Sequence, residues 1–356
     1  LLVYLILSAQ FESFKDPIII ILTVPMAVAG AFLSLWLCGQ SWNIFSQIGT
    51  IMLIGLVTKN GILIVEFANQ LKEQGKSVQE AINAVPDFRK LPTTIFIKNG
   101  TYKEKINLSA SKKLVKLVGE SVEKTILTFD DWAQKKNTFG EEKGTSGSAS
   151  FYIYGDGFVA ENITFQNSAG PVGQAVALFV AGDKAKFTNC RMLGFQDTLY
   201  TYGYGSRQFY ENCYIEGTTD FIFGSATAVF KDCEIFCKKG GSFITAASTP
   251  DSTKYGYVFL NCEIKGEEGA SYFLGRPWRP YAKTVFINCD LGEFIKPEGW
   301  DFWGKESNKQ TAFYAEYENQ GLGFNPNDRV KWSKQLSAYE AKLYNLENIF
   351  RGWKPR

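Results

Sequence analysis

Residues 187–235, FTNCRMLGFQDTLYTYGYGSRQFYENCYIEGTTDFIFGSATAVFKDCEI, decide the fold. An aromatic residue, one further residue, Asn or Asp, and then Cys recur three times: Phe187 to Cys190, Tyr210 to Cys213 and Phe230 to Cys233. Two more copies follow, Phe259 to Cys262 and Phe286 to Cys289, and a weaker one precedes at Glu161-Asn162-Ile163-Thr164-Phe165. Two places after each Cys stands an aliphatic residue: Met192, Ile215, Ile235, Ile264 and Leu291. The equivalent Asn or Asp positions are Asn162, Asn189, Asn212, Asp232, Asn261 and Asn288. Their irregular intervals, all in the twenties, with alternation typical of strands, predict a solenoid of stacked β-coils. Each coil would turn its Cys and aliphatic residue inward, and its Asn would ladder along a turn. The LxxLxL runs of a leucine-rich repeat are missing, and propeller blades would need about 40–50 residues. The prediction is an all-β, right-handed parallel β-helix with short capping helices.

Working outward, Ser77-Val78-Gln79-Glu80 is a capping box before Ala81, Ile82, Ala84 and Val85, and Pro86 ends the helix. This helix is expected to cover the first coil. At the other end Leu336, Tyr339, Leu343, Leu346 and Ile349 fall at helical spacing within 333–350 and suggest a C-terminal cover. Upstream, the stretch 18–38 carries no charge and is long enough to span a bilayer. The stretch 41–58 is again uncharged, and Lys59 interrupts a run that continues to Ala68. Residues 1–9 are apolar too, without the charged start of a signal peptide. The expected division is therefore a helical membrane-spanning fragment over 1–75 and the β-helix over 76–356.

Composition excludes several chemistries. The 356 residues contain no His, which removes Ser-His-Asp and Cys-His nucleophile systems and His-based metal sites. A formal net charge of +2 gives no electrostatic case for nucleic acid. Seven cysteines, an odd number with no CxxC, read as buried free thiols rather than a disulfide framework or a metal cluster. Hydrolysis in this chain would have to run on carboxylates, lysine, tyrosine or a cysteine lacking an imidazole base.

Gln174, Asp197 and Asp220 are equally spaced along the chain, at the same interval that separates Cys190 from Cys213. Equal offsets in successive coils superimpose about 4.8 Å apart. Asp197 and Asp220 should therefore face each other, with Gln174 one coil beyond and Gln196 adjacent. Two carboxylates so close do not ionise together, which provides an acid and a nucleophile at neutral pH. The glutamine amides would donate hydrogen bonds to an oxyanion. From spacing alone, a polar surface ladder explains the same pattern equally well.

Five stretches resemble the bacterial type of pectin methylesterase over about residues 76–356: Gly100-Thr101-Tyr102-Lys103-Glu104, Gln174-Ala175-Val176-Ala177-Leu178, Gln196-Asp197-Thr198-Leu199, Asp220-Phe221-Ile222-Phe223-Gly224 and Leu274-Gly275-Arg276-Pro277-Trp278. The resemblance implies hydrolysis of galacturonate methyl esters in pectin (methyl-esterified homogalacturonan) to pectate and methanol. It implies Asp220 as nucleophile, Asp197 as general acid and then base, Gln174 and Gln196 as oxyanion donors, and Arg276 as the group keeping Asp220 ionised. Trp278 matches an aromatic that packs against sugar. As further substrate contacts, Trp300 and Trp303 match an aromatic region lining the family's groove, Tyr200 follows the Gln196–Leu199 motif, and Thr145 falls near a threonine that contacts substrate in relatives; for each, a packing role is at least as open. Neither metal nor organic cofactor is implied, and the esterase part is expected to be a secreted or periplasmic monomer. Another pectin-directed β-helix enzyme, a lyase or a glycosidase, is the alternative, distinguished by new reducing ends or unsaturated product instead of methanol.

Residues 9–14 (AQFESF), 22–31 (LTVPMAVAGA) and 54–71 (IGLVTKNGILIVEFANQL) resemble an internal piece of a resistance-nodulation-division efflux pump. In that family the lysine matching Lys59 belongs to a proton relay whose aspartates have no counterpart in this chain, so transport is the third and weakest reading. The first strand usual in pectin methylesterases is replaced by pump-like residues. The chain therefore reads as a fusion joined within about 70–86, membrane-associated through its N-terminal part and less stable at the open end of the solenoid.

Overall fold

A computed structural model describes Tyr4, Ser8, residues 16–73 and residues 77–355. It divides into two compact units, Leu1–Lys76 and Ser77–Arg356.

In the first unit the helices Asp16–Leu37 and Ile44–Glu73 form a hairpin. Gly39 follows the first helix at φ +65°, a left-handed position that glycine adopts without steric cost. Asn43 opens the second helix: its Oδ1 accepts from the Ser46 amide at 2.9 Å, and the Asn43 amide donates to Ser46 Oγ at 2.7 Å. The expected membrane spans are corrected here, because among the described residues no helix is long and apolar enough to cross a membrane. Lys59 is exposed on the second helix. Residues 9–14, and 1–9 apart from Tyr4 and Ser8, lie outside the described residues.

The second unit is the predicted right-handed parallel β-helix, with ten-, eight- and seven-stranded sheets whose neighbours pair in parallel. The recurring motif sits at the corner between the first two sheets. Its aromatic residue lies near the end of one strand and its Asn and Cys precede the next, as at Arg207–Glu211 and Tyr214–Gly217. The corner residue is left-handed at every copy: Asn162, Asn189, Asn212, Asp232, Asn261 and Asn288 have φ of 50–57°. Asn tolerates this conformation better than most residues. Two of these side chains reach the adjacent coil, Asn189 Nδ2 donating to Asn162 Oδ1 at 2.7 Å and Asn261 Nδ2 to Asp232 Oδ1 at 3.2 Å.

Inside the corner, Phe187, Tyr210, Phe230, Phe259 and Phe286 stack with successive centroids 4.8, 4.8, 4.6 and 4.3 Å apart and planes within 12°. That spacing is close to the strand spacing, so one ring per coil fills the core without a gap. Cys190, Cys213, Cys233, Cys262 and Cys289 are buried beside them as free thiols, whereas Cys38 is exposed.

The capping helix Val78–Asn83 is present, with its box between Ser77 and Glu80 and with Val78, Ile82 and Val85 buried against the first coils. The Glu104 carboxylate also accepts from the Val78 and Gln79 amides, both at 3.1 Å, and so satisfies two free donors of the helix start. Phe88, Leu91 and Phe96 remain exposed at this end. The expected C-terminal cover takes another form. Instead of one helix over 333–350 there are two short ones, Ala338–Ala341 and Leu346–Phe350, separately capped by Ser337 and Asn345. They lie along the outer face of the ten-stranded sheet, where Ile349 and Phe350 cover Phe209, Val229 and Val258. Tyr339 is exposed.

Candidate active site

The seven-stranded sheet carries the site. Its strands are β1 (Ile106–Leu108), β2 (Phe151–Ile153), β3 (Leu178–Val180), β4 (Leu199–Thr201), β5 (Thr219–Gly224), β6 (Phe243–Ala247) and β7 (Phe273–Pro277). Register separates two rows of side chains. Phe151, Leu178, Leu199, Ile222, Thr245 and Gly275 form the inward row, and Tyr152, Phe179, Tyr200, Phe223, Ala246 and Arg276 the outward one. The outward row lies under a cleft of about 450 Å³. Gln174, Gln196, Asp197, Asp220, Arg276, Trp278, Tyr200, Trp303 and Thr145 all line it.

The pairing Leu199↔Ile222, continued two positions back, places Asp197 opposite Asp220, and the Asp197 amide donates to the Thr219 carbonyl at 3.1 Å. Both aspartates are left-handed, at φ 63° and 51°. Asp220 also lies where the β5–β6 register shifts between Thr219 and Ile222, and such a bulge re-aims a side chain. Arg276 holds Asp220 by two bonds, Nε to Oδ1 at 2.9 Å and a terminal nitrogen to Oδ2 at 2.6 Å. The guanidinium is clamped between aromatic rings, its carbon 3.9 Å from the Phe243 centroid and 3.7 Å from that of Trp303.

Burial pushes the Asp197 carboxyl well above the usual carboxylate range, and the neighbouring Asp220 charge pushes it further against the pull of Arg276. Burial also raises Asp220, but the hydrogen bonds and charge of Arg276 oppose it. Of the two, Asp197 is pushed further towards the protonated form.

One detail of the expected register is corrected. Gln174 pairs with Gln196 and not with Asp197. The coil that joins β3 to β4, whose register is set by Leu178↔Leu199, is shorter than the coil from β4 to β5, set by Leu199↔Ile222. The equal spacing of Gln174, Asp197 and Asp220 therefore does not mark a shared register position for all three, although the cleft brings Gln174, Gln196, Asp197 and Asp220 together. Gln134, which the sequence did not single out, donates from Nε2 to Gln174 Oε1 at 3.1 Å. This bond uses the carbonyl end of the Gln174 amide and leaves its NH₂ free to donate.

Trp300 does not reach the cleft. It pairs with Gly275 on the inward row and is buried in the core against Tyr314, with centroids 4.4 Å apart. Trp278 packs edge-on to Phe223 and Tyr200. Thr145 belongs to the single helical turn Gly144–Gly147, a wall tied down by buried Asn167, whose Nδ2 donates to the Asp131, Ser148 and Val176 carbonyls. Lys143, Ser146 and Phe223 complete this part of the lining. Two-strand register and local loop contacts place these residues, and neither was visible as a motif. Among the described residues no group of His, Cys, Asp or Glu is placed to hold a metal ion.

Comparison with known proteins fits this geometry. The Pectinesterase family model matches residues 65–352, and the AcrB/AcrD/AcrF family model matches residues 1–89. Pectinesterase 31 of Arabidopsis thaliana is 41% identical over 272 residues, covering 74% of this chain and 85% of that protein. The chain spans about half the length of several relatives named pectinesterase/pectinesterase inhibitor. A pectin methylesterase from carrot superimposes with a TM-score of 0.73 at 35% identity, over 78% of this chain and 89% of that one. A pectin methylesterase solved in complex with a hexasaccharide gives 0.70 at 30% identity, over 79% and 94%.

Proposed function

The chain belongs to the pectinesterase family, and from that premise we propose that its β-helix hydrolyses the methyl esters of galacturonate in pectin through the Asp220–Asp197 pair. The observation that carries this reading is the asymmetry of two facing carboxyls, one gripped by Arg276 at 2.9 and 2.6 Å and the other buried without a cation of its own. Asp220, held as the carboxylate, attacks the ester carbonyl carbon. The Gln174 and Gln196 amides donate to the developing oxyanion, with Gln134 fixing the orientation of Gln174. As the tetrahedral intermediate collapses, the C–O bond to the methoxy group breaks and Asp197 gives its proton to departing methanol. Asp197, now a carboxylate, takes a proton from water, which attacks the acyl-enzyme carbonyl. The Asp220–acyl bond then breaks, releasing the galacturonate carboxyl and restoring the Asp220 carboxylate and protonated Asp197. Trp278 and Tyr200 offer faces for sugar rings, and Trp303 acts by holding Arg276.

This part acts as a monomer where pectin is found, outside the cell, and residues 1–75 derive from a segment similar to the efflux-pump family. Asp220→Asn keeps shape and removes the nucleophile. Methanol release from esterified pectin should fall about 10³-fold or more, with the far-ultraviolet spectrum unchanged. Release at the original rate would refute the role given to Asp220.

A further inference from the structure

A second cavity, of about 390 Å³, shares no lining residue with the catalytic cleft. Asp197 precedes β4, whereas this cavity lies beyond the other end of that strand, where the chain turns towards Arg207–Glu211. Three segments build it: the turn at Tyr204, the loop at Ser252 and Thr253, and Arg351, which ends the helix Leu346–Phe350. Tyr204 stands between Gly203 and Gly205, at φ +112° and +78°. A Cβ on Gly203 would come within 2.7 Å of the Ala181 carbonyl oxygen, so glycine is required for this turn. The Tyr204 ring is 77% exposed, yet its hydroxyl is hydrogen-bonded to Ser252 Oγ at 2.7 Å, which ties the turn to the facing loop. Arg207 lines the same cavity but is fully engaged, with two side-chain bonds to Asp183 at 3.0 and 2.6 Å and one to the Phe350 carbonyl at 2.9 Å. That last bond fixes the residue before Arg351. Arg351 itself is left-handed, at φ 48° and ψ 55°, in a place that helices usually give to glycine. Among the described residues its guanidinium has no ion pair or hydrogen bond, and neither has the Thr253 hydroxyl. A cation held in a costly backbone conformation without a partner is a feature of binding rather than of stability.

We propose that this cavity is a second, non-catalytic binding site for an acidic sugar unit, a galacturonate of the pectin chain. The sugar carboxylate pairs with the Arg351 guanidinium, its hydroxyls bond the Ser252 and Thr253 hydroxyls, and one face of its ring lies on Tyr204. The identity of the sugar rests on the esterase reading of the cleft; the fit to an anion rich in hydroxyls rests on the cavity alone. A long chain held here and in the cleft is attached at two points, so the second contact forms at a high effective concentration. A short oligomer gains nothing from the pair.

Native electrophoresis of the full chain through gels containing polygalacturonate reads the binding as retardation, and methanol release from a methyl-esterified galacturonate trimer reads the cleft. Arg351→Gln and Tyr204→Ala should each reduce retardation by about fivefold or more, with turnover of the trimer within about twofold of wild type. Lys354→Gln removes an exposed cation close in sequence to Arg351 that does not line the cavity, and should leave retardation within about twofold. Unchanged retardation in Arg351→Gln or Tyr204→Ala, an equal loss in Lys354→Gln, or a matching loss of trimer turnover overturns the site. Wild-type protein that releases no methanol from trimer or polymer, while its retardation still depends on Arg351, leaves the site standing and removes the esterase reading instead.

Discussion

The corner between the first two sheets and the outward face of the third sheet are made by the same coils, yet one repeats and the other does not. At the corner, an aromatic ring, a left-handed Asn or Asp and a buried Cys return coil after coil, and side-chain amides reach across coils to one another, as Asn189 does to Asn162. On the third sheet the left-handed residues are Asp197 and Asp220, with a register shift beside Asp220. Here the side chains face a cleft, and burial pushes both carboxyls upward, with Arg276 restraining Asp220 more directly than Asp197. One backbone conformation thus serves two ends: where every coil agrees it builds a ladder, and where coils disagree it aims functional groups. The stability of the solenoid belongs to the first region and its chemistry to the second.

Substitutions that separate stability from chemistry test this contrast. The largest stability effect should come from the ladder. Phe230 stacks between Tyr210 and Phe259 at 4.8 and 4.6 Å, fully buried. Phe230→Ala should cost about 3–5 kcal/mol in urea unfolding, while methanol release per folded molecule stays within about twofold. A large loss of turnover in the folded fraction would break the contrast.

A smaller effect of opposite sign is expected in the cleft. Folding raises the Asp197 carboxyl above its unfolded value of about 3.9. The folded state therefore binds this proton more strongly, and its contribution to stability falls as pH rises from the unfolded value towards the folded one, by about 1.4 kcal/mol per pH unit. Asp197→Asn abolishes that slope, so its stability relative to wild type should grow as pH rises from about 4 to 6, while methanol release collapses. Parallel curves for the two proteins would contradict the burial assigned to Asp197.

Much of this was legible in the sequence because the corner motif repeats. Its aromatic, Asn and Cys each answer a requirement present at every coil, and the spacing of Asp197 and Asp220 matches the observed register. What was not legible depends on events outside the repeat. Gln174 faces Gln196 because the offset between neighbouring strands changes within a few positions, and a count along the chain does not reveal that. Trp300 falls on the inward row by pairing with Gly275, although the nearby Trp303 lies against Arg276. Helical spacing over 333–350 suggested one element, but the caps at Ser337 and Asn345 start separate helices. Gln134 and Lys143 reach the cleft or its walls from loops, where no period marks them, and Asn167 does so from the end of the strand Thr164–Asn167.

The measurement closest to the centre is a carbon-13 carboxyl titration of aspartate-labelled protein, with resonances assigned through Asp197→Asn and Asp220→Asn. The account predicts that Asp197 holds its proton to a higher pH than Asp220, whose resonance already reports the carboxylate where Asp197 is still neutral. The reverse order, or two ordinary and independent titrations, would contradict it.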